Sequence, residues 1–403
     1  VAAIEINEAL KQIPILELQI QLRPTSGVCG ALAANLFTAD RTEEALPFAL
    51  KSFEKTPSQI FAMNLGLIYK DLGMHKESFK IMEYAAMLDG TDPYVQLGYA
   101  ESLLRAGFWN RAWPIYDNTR ATQSGAALEY ALPASVKEWQ GEDLGPGHLL
   151  FVLPEGGMGD RICYPRFLQV LTERGINWKF IPHTDLRGFF ERLYPADKLA
   201  NYGDQMEPTH WVTAFALPAK LLTTPHTIPP PLKLTASPEM IQKYNVGRPD
   251  DLPVVGLCYQ AGEALQGGRR VRSLTEGQAM RLVCMTGDKV RWVSLQHKQK
   301  MPYPVLNVPM DTWEEYAGLI NHLDAVVTVD TGVMHLAGSM GKPMCVLLPG
   351  NSCWKFLANG PKCPWYPTSR LFRNGTRGFE NAITELTAHI RNTPASQPLN
   401  HIP

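Results

Sequence analysis

The chain has 403 residues, enough for two or three domains, and its 45% hydrophobic and 19% charged content is that of a globular protein. A net charge of −1 excludes general attraction to nucleic acid or anionic lipid, and no apolar run approaches the roughly 18 residues needed to span a bilayer. Seven cysteines, an odd number with no CxxC pair, argue against a structural zinc site and for a reducing compartment. The acidic start Val1–Glu8 lacks the basic n-region of a signal peptide, so a cytoplasmic location is expected. Cys353 and Cys363 are close enough in sequence to meet, but free thiols are expected.

Residues 1–124 read as wholly helical, and they repeat. Ala45, Phe79 and Trp113 recur every 34 residues, as do Gly73 and Gly107, and Tyr69 and Leu103. The run Gly66–Gly73 resembles the first helix and turn of a tetratricopeptide unit. Units are read at 60–93 and 94–124, with a weaker one before them. Stacked helix pairs form either a concave surface that binds peptides or partner domains, or a platform for the next domain.

Residues 125–147 are rich in Ser, Gly, Pro and acidic residues and read as a connector, with a short helix expected near Val136–Gln140. A buried strand, His148–Pro154, opens the next domain. It runs into a turn carrying Gly156, Gly157 and Gly159 and then a helix expected over Arg161–Arg174. A strand, a glycine-rich turn and a helix bring backbone close to a ligand, although this spacing is neither a GxGxxG fingerprint nor a Walker loop. Asp160 at the start of that helix can act as its cap. A strand at Trp178–Pro182, a helix at Leu186–Tyr194 and the piece His210–Pro218 complete a small α/β domain, 148–235, of about four strands, with the repeats expected to cover one face. Pro229, Pro230 and Pro231 make a stiff extended linker.

A second α/β domain is read over 250–391. Its first strand, Pro253–Tyr259, leads into a loop holding Arg269, Arg270 and Arg272. The strand Val290–Gln296 places Gln296 at the carboxyl end, where parallel-sheet sites form; the alternative is a polar residue that merely ends the strand. An amphipathic helix, Met310–Ile320, is expected to be capped by Asp311. Ala325–Val329 is a β-branched buried strand, interrupted by Asp330, Thr331 and Gly332, then a helix, then a strand at Met344–Leu348. A helix starting near Thr331 points unpaired N–H groups and its dipole at the crevice above the strand ends. Gly332 would let a phosphate approach, and His335 lies one turn on. A plain N-cap (Asp330, Thr331) and a core histidine is the competing reading. Residues 351–379 lack acidic residues but hold Lys355, Lys362, Arg370, Arg373 and Arg377 among Trp354, Trp365 and Tyr366. Such a stretch could meet a diphosphate or a nucleic-acid backbone with stacked bases, or be a loop with packed aromatics. The tail, 392–403, reads as loose.

Asp330-Thr331-Gly332-x-x-His335-Leu336-Ala337, followed by Gly341-Lys342-Pro343 and a hydrophobic strand, resembles the donor-site motif of the ADP-heptose lipopolysaccharide heptosyltransferases and their relatives, including glycosyltransferases fused to tetratricopeptide repeats. Gly157-x-Gly159-Asp160 resembles the turn at the start of that family's N-terminal domain. Trp365-Tyr366-Pro367 and Arg370-Leu371-Phe372-Arg373 resemble a signature of the repeat-fused branch. The resemblance implies an α/β fold of GT-B type, two Rossmann-like domains facing a cleft, preceded by an all-α repeat domain. It implies a donor nucleotide-diphosphate sugar held by Thr331 and Gly332 with His335 and Asp330 beside them. Arg272 would reach the phosphates, with Arg269 and Arg270 in reserve, and Gln296 the nucleoside. Asp160 would be the general base. No Asp-x-Asp motif stands at a strand end, so a metal-independent transfer with no cofactor is expected. The acceptor is expected to be a hydroxyl on a macromolecule, a protein being favoured. The alternatives are a DNA-base (hydroxymethyl) glycosyltransferase and a catalytically inactive repeat scaffold that binds a protein partner.

Overall fold

The computed structural model of the chain describes residues 6–121, 132–133, 135–201, 203–204, 207–248, 250–262, 272–376, 378–394 and 397–400. Seven helices come first: α1 (Ile6–Leu22), α2 (Ser26–Thr38), α3 (Thr42–Lys55), α4 (Gln59–Asp71), α5 (His75–Leu88), α6 (Pro93–Arg105) and α7 (Trp109–Ala121). The 34-residue period is a helix pair, seen as α2–α3, α4–α5 and α6–α7. The recurrent glycines make the turns inside the later two pairs: Gly73 and Gly107 have φ of +76° and +87°, a conformation that strains any residue with a Cβ.

The first sheet is parallel, in the order β1 (Lys137–Glu138), β4 (His210–Thr213), β2 (Leu150–Leu153), β3 (Trp178–Phe180). The expected helix at Val136–Gln140 is instead the edge strand β1. Its backbone pairs with β4, and the Trp139 side chain is fully buried, so strand pairing and indole burial together override local helix preference. The long helix expected over Arg161–Arg174 is broken into α8 (Met158–Cys163), a 3-10 turn (Tyr164–Phe167) and α9 (Leu168–Glu173). Pro165 has no N–H to continue the α-helical ladder. Likewise the helix expected at Leu186–Tyr194 is shortened to α10 (Arg187–Glu191) behind a 3-10 turn. Two short helices, α11 (Leu217–Lys220) and α12 (Pro238–Lys243), lie before the second sheet.

That sheet is also parallel, in the order β10 (Ser369–Arg373), β9 (Met344–Leu348), β8 (Ala325–Thr328), β5 (Val254–Cys258), β6 (Arg291–Ser294), β7 (Leu306–Asn307). Every residue of β5, β8 and β9 is buried, as in a sheet covered by helices on both faces. Its helices are α13 (Glu276–Thr286), α14 (Trp313–Asn321), α15 (Gly332–Ser339) and α16 (Glu380–Asn392). Thr312, not Asp311, caps α14. Its hydroxyl accepts from Glu315 N, and the Glu315 carboxylate accepts from Thr312 N in a reciprocal capping box.

The repeats dock on both α/β domains. Trp109 and Trp113 of α7 pack with Trp354 and Trp365, with ring centroids 5.5–6.0 Å apart for the Trp109–Trp354, Trp109–Trp365 and Trp113–Trp354 pairs. Lys220 of α11, 3% exposed at its side chain, donates to Asp117 of α7 at 2.6 Å and to Gln140 at 2.7 Å. Arg105 of α6 donates to Ser352 O, and Asn351 donates to Asp71 at 2.7 Å. The last repeat therefore serves as a packing platform. Trp354 and Trp365 face this core, and the other aromatic residues of 351–379 are buried too, because the apolar rings gain more by leaving water together than by lining a surface. Of its basic residues, Arg373 donates to three backbone carbonyls and Arg370 pairs with Glu385. Arg377 lies outside the described residues.

His75, at the same seam, is pushed down to about 4 by burial and by the Arg105, Arg373 and Lys70 charges, against a raising hydrogen bond with the Gly350 backbone. Its ordinary value is 6.5, so between the two values the unfolded chain binds a proton that the native state refuses. Native stability is therefore whole above pH 6.5 and lost as pH falls toward 4. We expect His75→Gln to lose about 2 kcal/mol less stability than wild type between about pH 7 and 5, measured by urea denaturation.

Candidate active site

In each sheet the strand order reverses direction once, between β2 and β4 and between β5 and β8. Crevices at the carboxyl ends of such neighbours are where parallel sheets bind ligands. The glycine-rich turn leaves β2 at the first reversal, and the segment Val329–Thr331 leaves β8 at the second.

The two meet. Gly159 lies against the amino end of α15: a Cβ placed there would come 2.6 Å from the His335 ring and 3.5 Å from Gly332 Cα. Gly156, with φ +78°, turns the chain so tightly that its own Cβ would lie 2.8 Å from the Asp160 carboxylate. Gly157 N donates to Asp160 Oδ2 at 3.2 Å, so the carboxylate caps α8 and is oriented by it. Capping leaves Oδ1 for another partner, and Lys355 Nζ, from the far side of the cleft, donates to it at 2.6 Å. Burial opposes the charge on Asp160, but the Lys355 ammonium and the Gly157 amide outweigh it, and its carboxyl sits below the ordinary range. Burial likewise opposes the Lys355 charge, and Asp160 outweighs it, so the ammonium titrates well above its ordinary value. Both directions describe one ion pair.

Thr331 is the N-cap of α15, its hydroxyl accepting from Met334 N at 3.3 Å and bonded to Thr328 Oγ1 at 3.1 Å. The Trp313 indole lies 2.5 Å from where a Cβ on Gly332 would be. The glycine is explained by that packing. The helix end is narrowed but not sealed: Thr331 and Gly332 stay partly exposed beside the exposed Gly156 and Gly157. His335 is 3% exposed, and its Nδ1 lies 2.9 Å from Tyr366 Oη. Burial and the Lys355 charge push it well below 6.5, so it is a neutral imidazole that can offer an anion a hydrogen bond but no charge. Asp330 is buried, with Arg272 Nη1 3.5 Å from Oδ2. Arg272 is thus at the site, while Arg269 and Arg270 lie outside the described residues.

Gln296 is engaged elsewhere. Its side-chain amide accepts from Gln260 N at 3.1 Å and donates to Gln260 O at 3.3 Å, which fixes the root of the loop after β5. Two residues at the site were not singled out from the motif: Lys355, and Trp313 at the mouth. Lys355 stands in the acid-free stretch 351–379, which marked it as basic without naming its partner. Among the described residues no three His, Cys, Asp or Glu side chains converge as a metal site would require, and no helix is long and apolar enough to cross a membrane.

The arrangement tests itself through Gly159. We expect Gly159→Ala to cost about 1–3 kcal/mol by forcing the His335 ring aside. In a His335→Ala background the same change should cost at least about 1 kcal/mol less, read by a double-mutant cycle in urea.

Residues 273–365 match the profile of Glycosyltransferase family 9 (heptosyltransferase). No curated protein sequence matches the chain. Among solved structures, a glycosyl transferase family 9 protein from Veillonella parvula aligns at 12% identity and a TM-score of 0.40, over 58% of this chain and 87% of its own. An ADP-heptose lps heptosyltransferase II from E. coli aligns at 12% and 0.40, over 60% and 98%. An O-GlcNAc transferase mutant from Thermobaculum terrenum aligns at 12% and 0.33, over 87% and 81%. Residues 273–365 thus match a glycosyltransferase family 9 (heptosyltransferase) domain, within a chain of two parallel-sheet α/β domains that follow an all-helical repeat region.

Proposed function

We propose that the protein moves a sugar from a nucleotide-diphosphate sugar to a hydroxyl on a macromolecule, a protein being the favoured acceptor, without a metal ion, and that it works in the cytoplasm. The observation that carries this reading is the Asp160 carboxylate, held by one domain, abutting through Gly159 the amino end of α15 in the other. The acceptor oxygen would attack the anomeric carbon as its proton passes to Asp160. The bond from that carbon to the diphosphate oxygen would break, and the nucleoside diphosphate would leave with the electron pair. Charge grows on the leaving group, and preorganised donors stabilise such charge best. The Thr331 hydroxyl, the free amides of α15 and its dipole, Arg272 and Lys355 are the groups that would supply them in place of a cation. His335 would add a neutral hydrogen bond.

The helical repeats support a protein acceptor, since such arrays present extended surfaces to peptides. The aromatic rings of 351–379 lie inside, which removes the stacking platform that a DNA-base acceptor would use. The seven cysteines, all free, support a reducing compartment. One observation favours a second reading, that of an inactive scaffold: the Asp160 carboxylate is already paired with Lys355, and a carboxylate held that way is a weak base.

A thermal-shift panel of ADP-, UDP- and GDP-sugars separates the two. Stabilisation by at least one favours the transferase, and none by any favours the scaffold. With the donor so found, Asp160→Asn is expected to bind it within a few-fold of wild type and to transfer about 10²–10⁴-fold more slowly, the span of general-base contributions. Wild-type turnover in that variant would remove Asp160 from the mechanism.

A further inference from the structure

Lys355 has no role in the motif through which the site was recognised. It sits on the 3-10 turn Trp354–Phe356, between β9 and β10, with its two flanking rings sunk in the aromatic core that joins repeats and catalytic domains. The backbone beneath it is therefore fixed, while the four-carbon stem of a lysine can re-aim its ammonium. The stem crosses the cleft, with the ammonium on Asp160 Oδ1 and 5.2 Å from the centroid of the Tyr164 ring. The other titratable groups around the pair are Tyr164, Cys163, Cys353 and His335, and Arg166 and Arg272 face His335. Burial pushes Tyr164 well up, Cys353 up to about 11 and His335 down, so all three are neutral near pH 7. The ammonium and the carboxylate answer one another.

A diphosphate seated at the amino end of α15 brings two negative charges to a place where Lys355 has so far met one. An ammonium has three donors, and Asp160 uses one of them. Asp160 keeps its orientation without Lys355, because Gly157 N holds the other carboxylate oxygen.

We propose that Lys355 is a positioning residue that couples donor binding to the base: it holds Asp160 while the donor site is empty, and it turns to the incoming diphosphate, which frees the carboxylate for the acceptor's proton. The coupling rests on the transferase reading above. It turns the pairing that favoured a scaffold into a safeguard, since the base is released only when a donor is present. It also has a signature apart from turnover. A carboxylate that loses its cation and gains an anionic neighbour binds protons more readily, so donor binding must draw protons from solution in mildly acidic buffer.

The test is isothermal titration calorimetry of the full chain at about pH 5, in two buffers of different ionisation enthalpy, with the tightest binder among ADP-glucose, UDP-glucose, UDP-N-acetylglucosamine and GDP-mannose. Wild type is expected to take up protons on binding, and Asp160→Asn to bind without uptake. Lys355→Met should bind about tenfold more weakly or worse, the loss of one charge-assisted hydrogen bond, also without the wild-type uptake. Lys355→Arg should recover part of the affinity. The acidic limb of the kcat/KM profile should move to higher pH in Lys355→Met, a change that loss of packing alone does not produce. Equal uptake in wild type and Asp160→Asn, or wild-type affinity in Lys355→Met, overturns the coupling and leaves the transferase reading standing. If no nucleotide sugar of the panel binds wild type, both fall.

Discussion

How closely one backbone turn can approach one helix end governs the whole cleft. Gly159 has no side chain, and the space where one would be is filled by the His335 ring from the other domain. Glycine here is a matter of contact across the cleft, not of backbone conformation, for it is Gly156 three residues earlier that bears the positive φ. With the turn pressed so near, the residue that follows, Asp160, is brought to the mouth of α15. A larger residue would separate a carboxylate and a helix dipole that act only over the length of a turn or so.

Charge at this place is balanced in a way that only the folded state permits. Asp160 and Lys355 are 195 residues apart in sequence and 2.6 Å apart in space. Each would be expensive to bury alone, and each makes the other tolerable. Asp330 and Arg272 repeat the arrangement on the second domain, more loosely, at 3.5 Å. Among the described residues the cleft thus holds two cations, each near an acid, beside the amino end of a helix.

The repeats do more than precede the catalytic domains. The position that recurs every 34 residues is occupied by Ala45, Phe79 and then Trp113. The growth in size follows what each one faces. Ala45 is enclosed between helices of the first pairs, whereas Trp113 reaches Trp354 and donates its indole N–H to Thr223 O at 2.6 Å. Glycine serves the same seam from the other side, since a Cβ on Gly73 would lie 2.4 Å from Gly375 O. The same aromatic core anchors the turn that carries Lys355, so the repeats bear on the site through the packing beneath that lysine.

Periodicity and strand chemistry made much of the fold legible in the sequence. A 34-residue repeat reads as stacked helix pairs, and a β-branched apolar run such as Ala325–Val329 between turn residues reads as a covered strand, because both patterns report local burial. The Thr331 cap, the Gly156 turn and the position of Asp160 at the start of a helix belong to the same class. What local pattern could not carry was decided by partners remote in sequence. Pairing with β4 drew Val136–Gln140 into a strand, Trp313 took the space beside Gly332, and the Gln260 backbone claimed Gln296. Trp354 and Trp365 turned inward because Trp109 and Trp113 were there to meet them. Above all, the pairing of Lys355 with Asp160 exists only once two domains and a repeat have closed on one another, since an ion pair is defined by a distance in space and no spacing along the chain encodes it.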